Sequence, residues 1–178
     1  GAAGPALLDT YEEERKPVAA SNAAWSAENG ARFRRISAAI AEGDDAALAR
    51  QIEEQRGHVD ASDQDLAFRY ERGALSGGDP NAGPPTLEAR LGSRFPEAPL
   101  EIGGERRSSN TDPVEGFRIV VADRRLEAAA ASTLGRLRLA GAAAVADAGV
   151  LGAARSAIVR PDGIVAWCGD GGPAEWDA

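Results

Sequence analysis

The chain has no methionine, one cysteine, one histidine and one lysine among 178 residues, and each scarcity removes a class of function. With a single thiol, Cys168, no disulfide can close within the chain, and the dithiol chemistry of a Cys-x-x-Cys pair is excluded. Such cysteine usage fits a reducing compartment. A lone His58 cannot supply a zinc site of several imidazoles or thiolates, and no Gly-x-Ser-x-Gly elbow accompanies it for a serine triad. His58 reads as a solvated polar residue near a helix end. Every basic residue except Lys16 is an arginine, dispersed along a chain of net charge −8, so the concentrated cationic footprint of a nucleic-acid binder is missing. No apolar run approaches the roughly 20 residues that cross a bilayer, and the amino end lacks a signal-peptide pattern. A soluble cytoplasmic protein with no nucleic-acid and no membrane partner is expected. Lacking methionine and starting at Gly1, the sequence is expected to be part of a longer product.

What is present is enough for a core: 43% of residues are hydrophobic, and the length suits one domain or two small ones. Leu7, Leu8, Tyr11 and Val18 fall on one helical face, with Tyr11 and Val18 expected to point at a core. Pro5 suits a first helical turn, whereas Pro17 lacks a donor and is expected to kink or restart the helix. A second helical run carries Trp25. Phe33, Ile36 and Ile40 mark a third stripe closed by Gly43, and Asp44 or Asp45 caps a fourth helix whose face carries Leu48, Ile52 and Val59.

From residue 66 the pattern changes. Leu66, Phe68 and Tyr70 alternate with polar or small residues, a half-buried strand signal. The stretch SGGDPNAGPP (76–85) supports neither helix nor ladder, and regular structure is expected again only near residue 116. GFRIVVAD (116–123) then reads as a strand, 124–137 as a helix and 137–147 as a second strand. Residues 156–169 read as a hairpin in which Ala157 to Arg160 and Ile164 to Trp167 flank Pro161, Asp162 and Gly163, whose turn chemistry is direct. Strand, helix, strand and hairpin is the order of a thioredoxin-like layer. The fold class expected is α/β, or α+β overall, with a helical amino-terminal segment.

Other candidate chemistry is weak. DASDQD (60–65) has carboxylates at a spacing like that of a calcium loop but no central Gly and no distal Glu, so a cap or turn accounts for it. SGGDPNAG runs into Pro84 and Pro85 rather than into a helix start, which is no phosphate cradle. Cys168, beside Trp167 in a strand, behaves as a small hydrophobe. No catalytic, cofactor-binding or metal-ligating residue is assigned.

Four stretches, in order, resemble flavin-dependent aromatic-ring monooxygenases, the family that includes phenol, chlorophenol and polyketide hydroxylases. LLDTYEEERKPVA (7–19) is similar to the signature that follows the family's FAD-binding region, with Tyr11, Glu14, Arg15 and Pro17 matched and Lys16 where Arg is usual. LAFRYERGAL (66–75) and LGSRFPEAPL (91–100) resemble two further stretches, with Leu91, Phe95 and Glu97 departing from the usual residues. IVRPDGIVAW (158–167) is similar to the closing segment of the family's thioredoxin-like domain, matched at Arg160, Pro161, Asp162, Gly163 and Trp167, with Cys168 where Arg is frequent.

The resemblance implies an FAD-dependent oxidoreductase that hydroxylates a phenolic or polyketide ring with NAD(P)H and O2. It implies three parts: helices closing the FAD domain (1–70), a Pro/Gly-rich connection (71–92), and a thioredoxin-like domain without redox cysteines (93–178). The dinucleotide fingerprint and the Gly-Asp segment that hold FAD in such enzymes do not occur here, so FAD is expected to be bound by an amino-terminal FAD domain outside this sequence. The fragment alone is then expected to be inactive. Tyr11, Glu14 and Arg15 would hold their helix to that domain by packing and hydrogen bonds. The alternative is a non-enzymatic interaction module, with the last domain forming a homodimer.

Overall fold

The computed structural model describes residues 6–55, 68–75, 88–110 and 116–176. The chain forms two compact units, Gly1–Phe68 and Arg69–Ala178. Val59, His58, the 60–65 cluster, Leu66 and the 76–85 stretch lie outside the described residues.

In the first unit, α1 (Ala6–Glu42) runs for 37 residues with Pro17 inside it. The three helical runs expected up to Glu42 are therefore one, and Pro17 does not restart the helix. A proline removes a single hydrogen bond and crowds one carbonyl; an alanine-rich helix with many turns on both sides survives that. Tyr11 corrects a second expectation: it is 63% exposed instead of facing a core, while Val18 is half-buried and Glu14 is buried. The helix ends as its sequence dictates. Gly43 takes φ +66, its N–H donates to Ile40 C=O, and Asp44 N–H reaches back to Ala39 C=O, the double closure of a left-handed helix cap. Asp44 then caps α2 (Asp45–Glu54), accepting from Ala47 N–H at 2.9 Å. Arg35 donates across the helix pair to Gln51 Oε1 at 2.9 Å.

The second unit is a six-stranded sheet. Its strands are β1 (Pro99–Ile102), β2 (Glu105–Ser108), β3 (Phe117–Val121), β4 (Gly141–Ala146), β5 (Ser156–Val159) and β6 (Val165–Gly169), in spatial order β2-β1-β4-β3-β5-β6. β3 and β4 are parallel, joined through a 3-10 turn (Arg124–Leu126) and α3 (Glu127–Arg136). β5 runs antiparallel to β3, and β6 to β5. This βαβ-plus-hairpin core is the thioredoxin-like order expected from the sequence. β4 begins at Gly141 rather than 137, because Leu137 and Arg138 belong to the turn that ends α3.

Regular structure resumes well before residue 116, contrary to the sequence reading. β1 and β2 form a hairpin on the β4 side, closed by Gly103 and Gly104, both at positive φ. Two such residues make the turn whose twist matches paired strands. The expected strand around Phe68 and Tyr70 reduces to one bridge, Arg69 to Ser93, and Tyr70 is buried by side-chain packing instead.

Alternation along β3 sorts the core. Ile119 and Val121 face Ala130, Leu134 and Trp176 on the helical side; Val120 faces Leu100, Ala144, Leu151, Val159 and Val165 on the other. α4 (Ala148–Leu151) serves that second face, and α5 (Pro173–Trp176) the first. Burying each such aliphatic side chain contributes about 1.5–3 kcal/mol. Ser156 is fully buried yet satisfied: its hydroxyl donates to Gly171 C=O at 2.8 Å and accepts from Trp176 Nε1–H at 3.2 Å, which fixes α5 to β5.

Candidate functional site

Three of the four stretches that carry the family resemblance meet in space. The turn Arg160-Pro161-Asp162-Gly163 is closed by Gly163 N–H to Arg160 C=O at 2.9 Å, with Gly163 at φ +83. Asp162 Oδ2 accepts from Arg160 Nη2 at 2.7 Å, and its Oδ1 accepts from Ile164 N–H at 3.2 Å. The carboxylate thus locks both the turn and the arginine. Arg160 in turn lies over the Tyr70 ring, 5.8 Å from its centroid.

The 91–100 stretch sits between them. Phe95 N–H donates to Gly163 C=O, Gly92 N–H to Val165 C=O, and Tyr70 N–H to Gly92 C=O. Ser109, buried, stitches the far end: its hydroxyl donates to Pro96 C=O and accepts from Ala98 N–H, while Arg118 Nη1 donates to its carbonyl. Together Arg94, Ser109, Arg118, Arg160 and the turn line a cavity of about 230 Å3. Trp167 is remote from this cavity in role, packing against the helical-side core. Tyr11, Glu14, Arg15 and Pro17 belong to the first unit.

A redox member of this fold would need its thiol pair where a strand runs into a helix start. Here the end of β3 runs into Asp123-Arg124-Arg125. Asp123 caps the 3-10 turn through Arg125 N–H and grips the Arg125 guanidinium, with Arg155 also near. The Arg125 side chain first, then its backbone N–H, hold the Asp123 carboxyl down to about 2. Arg124 is paired in bidentate fashion with Glu101, whose pKa it lowers. A second cleft, about 410 Å3, opens beside Asp123, Arg124 and Arg155. Cys168 lies on β6, and burial pushes its thiol pKa up, away from thiolate chemistry, though a backbone hydrogen bond from Leu91 opposes the shift. Among the described residues no cluster of three His, Cys, Asp or Glu side chains could hold a metal.

One glycine-rich turn between a strand and a helix escaped the sequence reading: Gly169-Asp170-Gly171-Gly172-Pro173-Ala174, after β6. A dinucleotide pyrophosphate needs such a turn to deliver an open, well-formed helix start. α5 is a single turn over Pro173–Trp176, and a Cβ placed on Gly171 would fall 2.1 Å from the Glu175 carboxylate. The Glu175 carboxylate already occupies the approach to Gly171, so this turn does not fit a pyrophosphate. The Arg160–Tyr70 contact was also missed, and no local signal could have found it, since its partners lie in separate motifs.

The family model described as aromatic-ring hydroxylase, C-terminal, matches residues 88–178, which contain every strand of the sheet. The chain belongs to the aromatic-ring hydroxylase family. The chain is 33% identical over 175 residues to the 12-dehydrotetracycline 5-monooxygenase/anhydrotetracycline 6-monooxygenase of Streptomyces rimosus subsp. rimosus, covering 94% of this chain and 32% of the relative. It therefore spans about a third of that relative's length. Among solved structures it is similar to the rebeccamycin biosynthetic enzyme RebC with reduced flavin, at TM-score 0.69 and 29% identity over 98% of this chain and 36% of RebC. The flavin-dependent monooxygenase PieE in complex with FAD and substrate matches in fold, at TM-score 0.69 and 24% identity over 98% of this chain and 38% of PieE.

Proposed function

We propose that this chain is the carboxyl-terminal part of an FAD-dependent monooxygenase that hydroxylates a phenolic or polyketide ring with NAD(P)H and O2. The observation that carries the reading is the end-to-end likeness to RebC with reduced flavin, in which 98% of this chain is matched but only 36% of that one. The tetracycline monooxygenase relative, matched over 94% of this chain, supports a polyketide ring. Flavin, reductant and oxygen are then handled by residues outside this sequence, in keeping with the filled Gly171 turn. Within this reading Tyr11, Glu14 and Arg15 secure α1 to the FAD domain, and the exposed Tyr11 ring is a surface for it to cover.

The purified chain is expected to be colourless and to leave NAD(P)H absorbance unchanged in the presence of phenols or anthraquinone-type substrates. A longer protein that contains it is expected to be yellow and to consume NAD(P)H when an aromatic substrate is added. Flavin bound to the chain alone in stoichiometric amount would overturn the proposal.

A further inference from the structure

β3 and β4 are the parallel pair at the centre of the sheet, and the chain leaves them toward opposite faces. After β3 it crosses to α3, whose Ala130 and Leu134 pack with Ile119 and Val121; after β4 it enters α4, whose Leu151 packs with Val120 on the other side. Where two adjacent parallel strands send their connections to opposite faces, a crevice opens beyond their carboxyl ends, the usual ligand position of open α/β sheets. The cleft of about 410 Å3 lies there. Asp123 and Arg124 reach it from the end of β3, and Ala148, Ala153, Ala154 and Arg155 from the segment after β4. Its volume falls within the range of about 300–1,000 Å3 of small-molecule sites.

The charges around the cleft are unequally committed. Arg124 is held by Glu101 in bidentate fashion, and both Asp123 oxygens accept from Arg125, Oδ2 at 2.7 Å. Arg155 is different: its Nη2 stands 3.9 Å from Asp123 Oδ2, beyond hydrogen-bond reach, and among the described residues its guanidinium donates no hydrogen bond. Its backbone is nonetheless fixed, with N–H donating to Gly169 C=O at 2.9 Å and C=O accepting from Ala122 N–H at 3.0 Å, so the side chain starts from a rigid point. We propose that this cleft binds a small organic monocarboxylate, with the Arg155 guanidinium forking onto the carboxylate and the apolar body of the ligand lying on Ala148, Ala153 and Ala154. The planar fork of an arginine matches the two oxygens of a carboxylate. The Asp123 carboxylate beside it repels a second negative charge, which disfavours a dianion such as phosphate. The alanines give a low apolar floor that leaves room for a flat body.

Benzoate, benzyl alcohol and inorganic phosphate, titrated into the isotope-labelled chain and followed by amide NMR, test this. Benzoate is expected to shift the Ala153, Ala154 and Arg155 amides along one saturable curve. Benzyl alcohol, which has the ring without the charge, and phosphate, which has charge without the ring, are each expected to bind about tenfold more weakly or worse. Arg155→Gln is expected to raise the benzoate dissociation constant about tenfold, and Arg155→Lys, which keeps the charge and loses the fork, about threefold. Arg106→Gln, an equal loss of charge on β2, is expected to leave it unchanged. Ala153→Leu fills the floor of the cleft and is expected to abolish the shifts at an unchanged melting temperature, because Ala153 is exposed. Shifts that fail to saturate, benzyl alcohol or phosphate binding as tightly as benzoate, or an Arg155→Gln chain that binds as well as the original would each overturn the site.

Discussion

Asp123 shows how one side chain can replace a site. The strand-to-helix junction that a redox relative would use for thiols carries a carboxylate committed to Arg125, and its acidity has a measurable consequence. Its folded pKa of about 2 lies below its ordinary 3.8. The stabilisation it supplies is complete above the unfolded value and is lost as pH falls through the folded one. Asp123→Asn is therefore expected to melt below the native chain at about pH 5, with the gap narrowing as pH falls through about 2, by thermal denaturation across that range. Ser156 makes a second case. Ser156→Ala strands Trp176 Nε1–H and Gly171 C=O, and is expected to cost about 1–3 kcal/mol in urea denaturation, with α5 exchanging its amides faster. Gly92→Ala collides with the Tyr70 carbonyl at a φ that L-residues avoid, and a loss above about 3 kcal/mol is expected by the same measurement. Asp123 reads in the sequence as the end of the strand 116–123, and its capping of the turn emerges only from the structure. The Ser156 and Gly92 contacts span long sequence separations and leave no local trace.

At the level of elements, legibility followed turn chemistry and apolar continuity. Phe117–Val121 and the Pro161-Asp162-Gly163 hairpin are readable because each carries its own mechanism, a continuous apolar run and a preset φ, and the helix after β3 is readable as the segment between two strands. β1 and β2 were not read. Their four-residue strands include Glu101, Glu105, Arg106 and Arg107, which mask the alternation, although the Gly103-Gly104 pair was the available signal. The proline penalty taken alone divides α1 at Pro17, and the length of helix on both sides outweighs it. Pro17 is exposed, so removing it sacrifices no core contact. Pro17→Ala is expected to stabilise α1 by about 3 kcal/mol, read from its amide exchange at Glu13 to Ser21.

For the molecule as a whole, the two units differ in how they are closed. The sheet unit has a core on each face, whereas Leu7, Leu8, Tyr11, Phe33, Ile40 and Ile52 of the helical unit are exposed. Apolar side chains left in water at this density promote association. Light scattering of the purified chain is expected to show a mass that rises with concentration, and Leu8→Glu combined with Phe33→Glu to bring it toward the monomer value. A monodisperse monomer across that range would show these side chains to be tolerated as they stand.

The two ends of the sheet set the route that such association takes. β2 faces outward with Glu105, Arg106 and Arg107 exposed, charges that penalise an incoming strand, and the start of β6 already exchanges hydrogen bonds with Gly92 and Ser93. Strand addition is penalised at β2 and at the start of β6, which leaves the exposed apolar side chains of the helical unit as the adhesive surface.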